Sequence, residues 1–161
     1  MRDYIIMTDS CCDLSQQEVE ELELTVLPLS FTIEGKTLLN TPDHADMSPE
    51  EFFAKIAAGA DCTTAAVNVG QFTDAMEKVL QEGKDILCVC FSSALSTTYQ
   101  SACIAAEDLR EKYPEAKILV IDSLSASRGQ GMLLYRAVRE RREKNLTIDE
   151  LDAYVRSIIQ S

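Results

Sequence analysis

The chain has 161 residues, enough for one domain with a substantial core, and its content of 46% hydrophobic and 26% charged residues is typical of a globular protein. Its net charge of −12 argues against nucleic acid and anionic membranes as partners, because both attract basic surfaces. No apolar run approaches the length of about 18 residues that a transmembrane helix needs, so we expect no membrane insertion.

Six cysteines and a single histidine, His44, limit the metal chemistry of the chain. No Cys-x-x-Cys pair occurs, whereas structural zinc sites usually draw on closely spaced Cys or His ligands. The opening segment, residues 1–9, is too short and too acidic for a signal peptide. We therefore expect reduced thiols, no metal or cofactor, and a cytoplasmic protein.

Short apolar runs alternate with segments of helical spacing along the chain. Strands are predicted at 4–8, 25–29, 62–67, 86–91 and 118–121, with a hairpin around Glu34-Gly35, and helices at 14–22, 48–58, 71–81, 98–112, 128–144 and from 147 toward 159. Pro28 favours an edge position for the second strand. This alternation is typical of an α/β fold, a mostly parallel sheet with helices on both faces.

Hydroxyl and carboxylate side chains follow four of the predicted strands. They are Thr8-Asp9-Ser10, Thr63-Thr64, Ser92-Ser93 with Ser96, and Asp122-Ser123 with Ser125 and Ser127. Ligands of open parallel sheets bind beyond the carboxyl ends of the strands. We therefore expect the four clusters to converge on one ligand-binding rim.

The stretch 91–102 is central to this rim, because it joins a buried strand to a helix that starts at Thr98. Backbone N–H groups are open at a helix start and the helix dipole is positive there, so such a turn attracts a phosphate or a carboxylate. Ser96 could also cap the helix, and Asp9 and Ser10 could simply close a turn through bonds to the backbone.

Several ordered segments are similar to the DegV family of bacterial fatty-acid-binding proteins. Residues 8–14 resemble its opening T-D-S-x-x-D-L, residues 26–29 its V-x-P-L strand, and residues 92–102 its S-S-x-L-S-G-T-Y-x-S-A signature. Residues 64–72 resemble its T-S-Q-P-S stretch with the phenylalanine that follows, and residues 122–131 resemble the segment after the next strand. The resemblance covers nearly the whole chain.

This resemblance implies a carrier and not a catalyst. Family members bind a long-chain fatty acid between two lobes, and some present its carboxylate to a separate fatty acid kinase subunit. The family's carboxylate ligands match Thr64 and Ser96, with Thr63 as the adjacent candidate. Thr97, Ser10, Asp9 and Ser123 are possible supporting residues. Family members continue into a second lobe, so residues 1–161 are expected to form a DegV-like N-terminal α/β domain without it.

Two departures from the family pattern affect the predicted site. Thr97 occupies the position of the signature glycine, and a side chain there could crowd a close backbone approach. Of the T-S-Q-P-S stretch, only Thr64 is kept.

Two other functional classes stay open on the residues alone. A serine-dependent hydrolase or a phosphotransfer enzyme of a related α/β fold would need a general base near its nucleophile, but no G-x-S-x-G elbow occurs and His44 lies in a predicted loop. The domain could also serve as an interaction or regulatory module.

Overall fold

A computed structural model describes residues 2–160. In chain order the elements are β1 (Tyr4–Asp9), α1 (Gln16–Glu21), β2 (Leu24–Leu27), β3 (Leu29–Ile33), β4 (Lys36–Asn40), α2 (Pro49–Ala57), β5 (Cys62–Ala65), α3 (Val69–Gln81), β6 (Asp85–Cys90), α4 (Thr98–Lys112), β7 (Ile118–Asp122), α5 (Ser127–Lys144) and α6 (Ile148–Ile159). A one-turn 3₁₀ helix, Ser10–Cys12, follows β1.

A four-stranded parallel sheet in the order β2-β1-β6-β7 forms the centre of the fold. The β6 strand is buried along its whole length, as its continuous apolar sequence predicts for an inner strand of a parallel sheet. One face packs against α1, α5 and α6, and the other against α3 and α4. The predicted α/β fold with helices on both faces is confirmed.

The β2 strand lies at the edge of this sheet, as Pro28 predicts. The predicted second strand ran through to residue 29, but the chain leaves the parallel sheet at Pro28 and Leu29 begins β3. The Ser10 hydroxyl accepts a 2.9 Å hydrogen bond from the Leu29 N–H and fixes this crossover.

A smaller antiparallel sheet in the order β4-β3-β5 lies beside the first. The predicted hairpin is present: Ile33 pairs with Lys36, and Glu34 (φ 50) and Gly35 (φ 78) form its turn. Helix α2 packs on this sheet through an edge-to-face contact between Phe52 and Phe31.

The β5 strand belongs to this smaller sheet, where Thr64 pairs with Phe31 and Thr63 with Thr32. The prediction that Thr63 and Thr64 end a strand of the parallel sheet is therefore wrong. A short run of hydroxyl and small residues carries no information about which sheet it joins, and the pairing partner lies about 30 residues earlier.

None of the helices described within residues 2–160 combines the length and the apolar character that crossing a bilayer requires.

Candidate functional site

The carboxyl edge of the parallel sheet is organised by Asp9, which is fully buried at the end of β1. Its carboxylate accepts hydrogen bonds from the N–H of Phe91 at 2.8 Å, the N–H of Cys11 at 3.0 Å and the amide of Gln130 at 3.2 Å. Burial raises the pKa of Asp9, while these N–H donors act in the opposite direction. Three segments that meet at this edge are thus held by one carboxylate.

The turns after β6 and β7 are joined directly. The Ser92 N–H donates to the Ser125 carbonyl at 3.0 Å, and the Ser93 N–H donates to the Asp122 carboxylate at 3.2 Å. The Ser93 hydroxyl donates to the same carboxylate. Three of the four predicted hydroxyl clusters therefore converge at this edge, as expected from the parallel topology.

The turn before α4 contains a linked pair of hydroxyls. The oxygens of Ser96 and Thr98 lie 2.9 Å apart, and the Thr98 N–H donates to the Ser96 oxygen at 3.2 Å. The Val67 N–H, two residues beyond β5, donates to the Thr98 oxygen at 3.3 Å. This contact ties the strand that carries Thr64 to the turn that carries Ser96.

The first turn of α4 presents open donors beside Ser96. Within residues 2–160 the N–H groups of Tyr99 and Gln100 have no protein acceptor, as is usual for a helix start. Interaction with the Cys103 side chain and burial raise the pKa of Tyr99, so its phenol stays neutral at physiological pH. The helix start can therefore donate hydrogen bonds to an anion, and the positive end of the helix dipole favours negative charge there.

Thr97 precedes the helix with φ −84 and ψ 2, a conformation open to any L-residue, and its side chain is exposed. A threonine in place of the family glycine thus imposes no backbone strain here.

The remaining predicted site residues divide into two groups. Thr63 and Thr64 are exposed on β5, with no hydrogen bond from the Thr64 side chain to the rest of residues 2–160. Ser10 and Ser123 use their hydroxyls internally, because Ser10 accepts from the Leu29 N–H and Ser123 donates to the Ser125 carbonyl at 3.0 Å. Ser10 and Ser123, together with Asp9, therefore hold the backbone around the site in place.

Two exposed leucines flank this polar turn, and sequence reasoning did not single them out. Leu95, next to Ser96, is 69% exposed, and Leu124, on the adjoining turn, is 64% exposed. Leu124 also has φ 55, in the left-handed region that bulky residues rarely occupy. The signal in the sequence is an apolar residue inside each of two hydroxyl-rich turns.

Two cavities lie elsewhere. One of about 360 Å³ is at the amino end of β1, beside Tyr4, Leu22 and Arg141. The other, of about 150 Å³, lies under the small sheet beside Ile33 and Leu38. Neither is lined by Ser96 or Thr64. No group of His, Cys, Asp and Glu side chains among residues 2–160 is arranged to hold a metal ion, and the His44 ring makes no hydrogen bond to a serine in that range.

A family model described as "uncharacterised protein, DegV family" matches residues 4–161. The chain belongs to the DegV family. A DegV domain-containing protein of Clostridium perfringens is 37% identical over 155 residues, which are 96% of this chain and 53% of that protein. The chain thus spans about half the length of the curated DegV relatives it matches.

Solved DegV structures are similar to this fold. One, described as showing fatty acid binding of a DegV family protein from Thermus thermophilus, has a TM-score of 0.84 at 29% identity and matches 100% of this chain and 54% of its own. A stearic acid-binding protein from Eubacterium ventriosum has a TM-score of 0.84 at 27% identity and matches 94% of this chain and 52% of its own.

Proposed function

We propose that this DegV chain binds a long-chain fatty acid through its carboxylate, at the turn between β6 and α4. The observation that carries the proposal is the set of open donors there: the N–H groups of Tyr99 and Gln100 beside the partly exposed Ser96 hydroxyl. Donors without an acceptor favour a carboxylate, and hydrogen bonds to a charged group contribute about 1.5–3 kcal/mol each. The fatty acids named for the Thermus thermophilus and Eubacterium ventriosum relatives support this ligand class.

Ser96 and Thr64 are the proposed ligands, with Thr63 and Thr97 as neighbouring hydroxyls. The support is the Val67–Thr98 hydrogen bond, which holds the segment after β5 against the turn that carries Ser96. Thr64 is exposed and its hydroxyl is not used elsewhere in the described chain, so it is free to donate to a ligand.

The acyl tail is proposed to run over the apolar rim of Leu95 and Leu124. Each buried CH₂ contributes about 0.8 kcal/mol, so the tail supplies most of the affinity and the hydroxyls set the orientation. An apolar edge beside a group of donors fits an amphiphile better than it fits a small polar anion.

We further propose that the protein is a binding subunit that presents the fatty acid to a separate kinase subunit, and that it acts in the cytoplasm. The support is the resemblance of residues 92–102 to the family signature and the six free cysteines, a state that a reducing compartment maintains.

Calorimetric titration of the 161-residue chain with decanoate tests the binding site. Ser96→Ala and Thr64→Val should each weaken binding about tenfold, the effect of losing one hydrogen bond to a carboxylate. Ser101→Ala, one turn further into α4, and Thr25→Val, on edge strand β2, are matched controls and should leave binding unchanged. Equal effects of site and control variants would refute the proposed site.

A further inference from the structure

The hydroxyl of Thr98 has no access to water, because the residue is fully buried. Its neighbour Ser96 is partly exposed. The Thr98 oxygen accepts the Val67 N–H at 3.3 Å, and Val67 is also fully buried. A buried hydroxyl cannot give its proton to water, and an unpaired buried donor is unfavourable. The Thr98 proton must therefore be donated to a protein atom.

Ser96 supplies the only acceptor for this proton within residues 2–160, at 2.9 Å. The Ser96 oxygen also accepts the Thr98 backbone N–H at 3.2 Å. A hydroxyl oxygen has two lone pairs, and both are then occupied by donors from Thr98. Ser96 is left with its own proton, and the structure shows no further protein acceptor for it among residues 2–160.

We propose that Thr98 is a positioning residue that makes Ser96 an obligate hydrogen-bond donor, and that it thereby selects ionised carboxylates over neutral amphiphiles of the same length. This inference rests on the proposed function. The Ser96 hydroxyl and the N–H groups of Tyr99 and Gln100 are then three donors side by side at the helix start. A carboxylate accepts from all of them.

A fatty alcohol matches this set poorly. Its single neutral oxygen can accept from Ser96, but it cannot accept from all three donors, and its own proton finds no acceptor among them. Three donors favour an ionised carboxylate over a neutral hydroxyl, since hydrogen bonds to a charged acceptor are roughly twice as strong as those between neutral groups. The ratio of the alcohol and carboxylate dissociation constants therefore reports the donor state of Ser96.

A purely structural role of Thr98 would have a different signature. The Thr98–Val67 bond joins two segments, so its loss could loosen the whole turn. Loosening would weaken the binding of both ligands by similar factors and leave their ratio unchanged. Loss of the Ser96 orientation would weaken the carboxylate selectively.

The experiment measures decanoate and decanol binding to the 161-residue chain and to three variants. Thr98→Val removes the hydroxyl at constant shape, Thr98→Ser retains it, and Ser96→Ala removes the oriented donor. We expect Thr98→Val to reduce the decanol-to-decanoate ratio of dissociation constants about tenfold, as Ser96→Ala does, and Thr98→Ser to restore it to within about threefold. In the double variant Thr98→Val/Ser96→Ala, the ratio should be no lower than in Ser96→Ala alone, because both changes remove one function.

An unchanged ratio in Thr98→Val, or losses that multiply in the double variant, would overturn the inference. Should Thr98→Val fail to fold, the wild-type hydroxyl proton of Thr98 gives a second measurement. It should exchange slowly with water and show a nuclear Overhauser contact to the Ser96 β-protons, whereas rapid exchange would contradict the inference. Wild-type chain that does not prefer decanoate to decanol would refute the proposed function itself, so the two failures are distinguishable.

Discussion

The carboxylate of Asp9 at the end of β1 accepts a 2.8 Å hydrogen bond from the N–H of Phe91, the residue that follows β6. The two residues are 82 positions apart in the chain. This bond fixes the start of the turn that leads to Ser96, so the candidate site depends on a buried carboxylate that is not itself exposed to ligand.

Asp9→Asn should destabilise the protein. An asparagine amide would place its own N–H donors against one of the three N–H groups that Asp9 accepts, and an unsatisfied buried donor costs about 1–3 kcal/mol. Urea denaturation measures the free energy of unfolding. A variant as stable as the wild type would contradict this assignment.

Comparison of the wild type with Asp9→Asn also predicts how the contribution of Asp9 to stability changes with pH. Burial raises the pKa of Asp9 in the folded state above its ordinary value of 3.8. Between that value and the folded pKa the folded state binds more protons than the unfolded state, so the Asp9 contribution to stability falls as pH rises through this window. We expect the wild-type minus Asp9→Asn difference in unfolding free energy to decrease with pH there. An increase would contradict the direction of the shift.

Gly131 in α5 lies at a close contact between this helix and the 3₁₀ helix Ser10–Cys12. A Cβ at Gly131 would lie 2.7 Å from the Cys12 carbonyl oxygen, and a backbone atom cannot move aside cheaply. Gly131→Ala should therefore lower the free energy of unfolding by about 2 kcal/mol.

Gly129, two residues earlier in the same helix, is the matched control. A Cβ there would lie 3.3 Å from the Ser125 side chain, and alanine gains about 1 kcal/mol of helix propensity. Gly129→Ala should remain within about 1 kcal/mol of the wild type. Similar losses for both variants in denaturant unfolding would refute the close contact at Gly131.

Replacement of Leu124 by asparagine should increase stability but weaken binding. Its φ of 55 is strained for leucine, whereas asparagine tolerates this region, and its side chain is 64% exposed. Leu124→Asn should raise the free energy of unfolding by about 1 kcal/mol and weaken decanoate binding. Leu95→Asn, without positive φ, should weaken binding without the gain in stability. Unaltered binding in both variants would exclude the apolar rim from the ligand contact.

The general architecture could be predicted because its signals are local. The continuous apolar run of β6 indicates a buried parallel strand, and Glu34-Gly35 between two alternating runs indicates a tight hairpin. The capping residues Ser48 and Thr147 predict the starts of α2 and α6, and both side chains accept the expected backbone N–H.

The errors and omissions arise from contacts between distant segments. Nothing within Cys62–Ala65 specifies that its partner is β3, and Gln130, in the interior of α5, gives no sign of its hydrogen bonds to Thr8 and Asp9. Thr98 was within the recognised signature, but its burial and its bond to Val67 appear only when the chain is folded.

The 161-residue chain should bind palmitate weakly, with a dissociation constant above about 1 μM. The cavities of about 360 and 150 Å³ do not adjoin Ser96, and we expect the tail to lie on the exposed rim of Leu95 and Leu124, where it buries only part of its surface. Equilibrium dialysis with radiolabelled palmitate measures this affinity. Nanomolar binding would mean that the chain encloses the tail by itself.

The most direct test of the carboxylate site is a titration of the ¹⁵N-labelled chain with decanoate, followed by amide chemical shifts. The proposal predicts that the Tyr99 and Gln100 amide protons move downfield as they bind the carboxylate, that Ser96→Ala reduces these shifts, and that methyl decanoate does not produce them. Largest shifts at the cavity beside Tyr4 and Arg141, or equal shifts with the methyl ester, would contradict it.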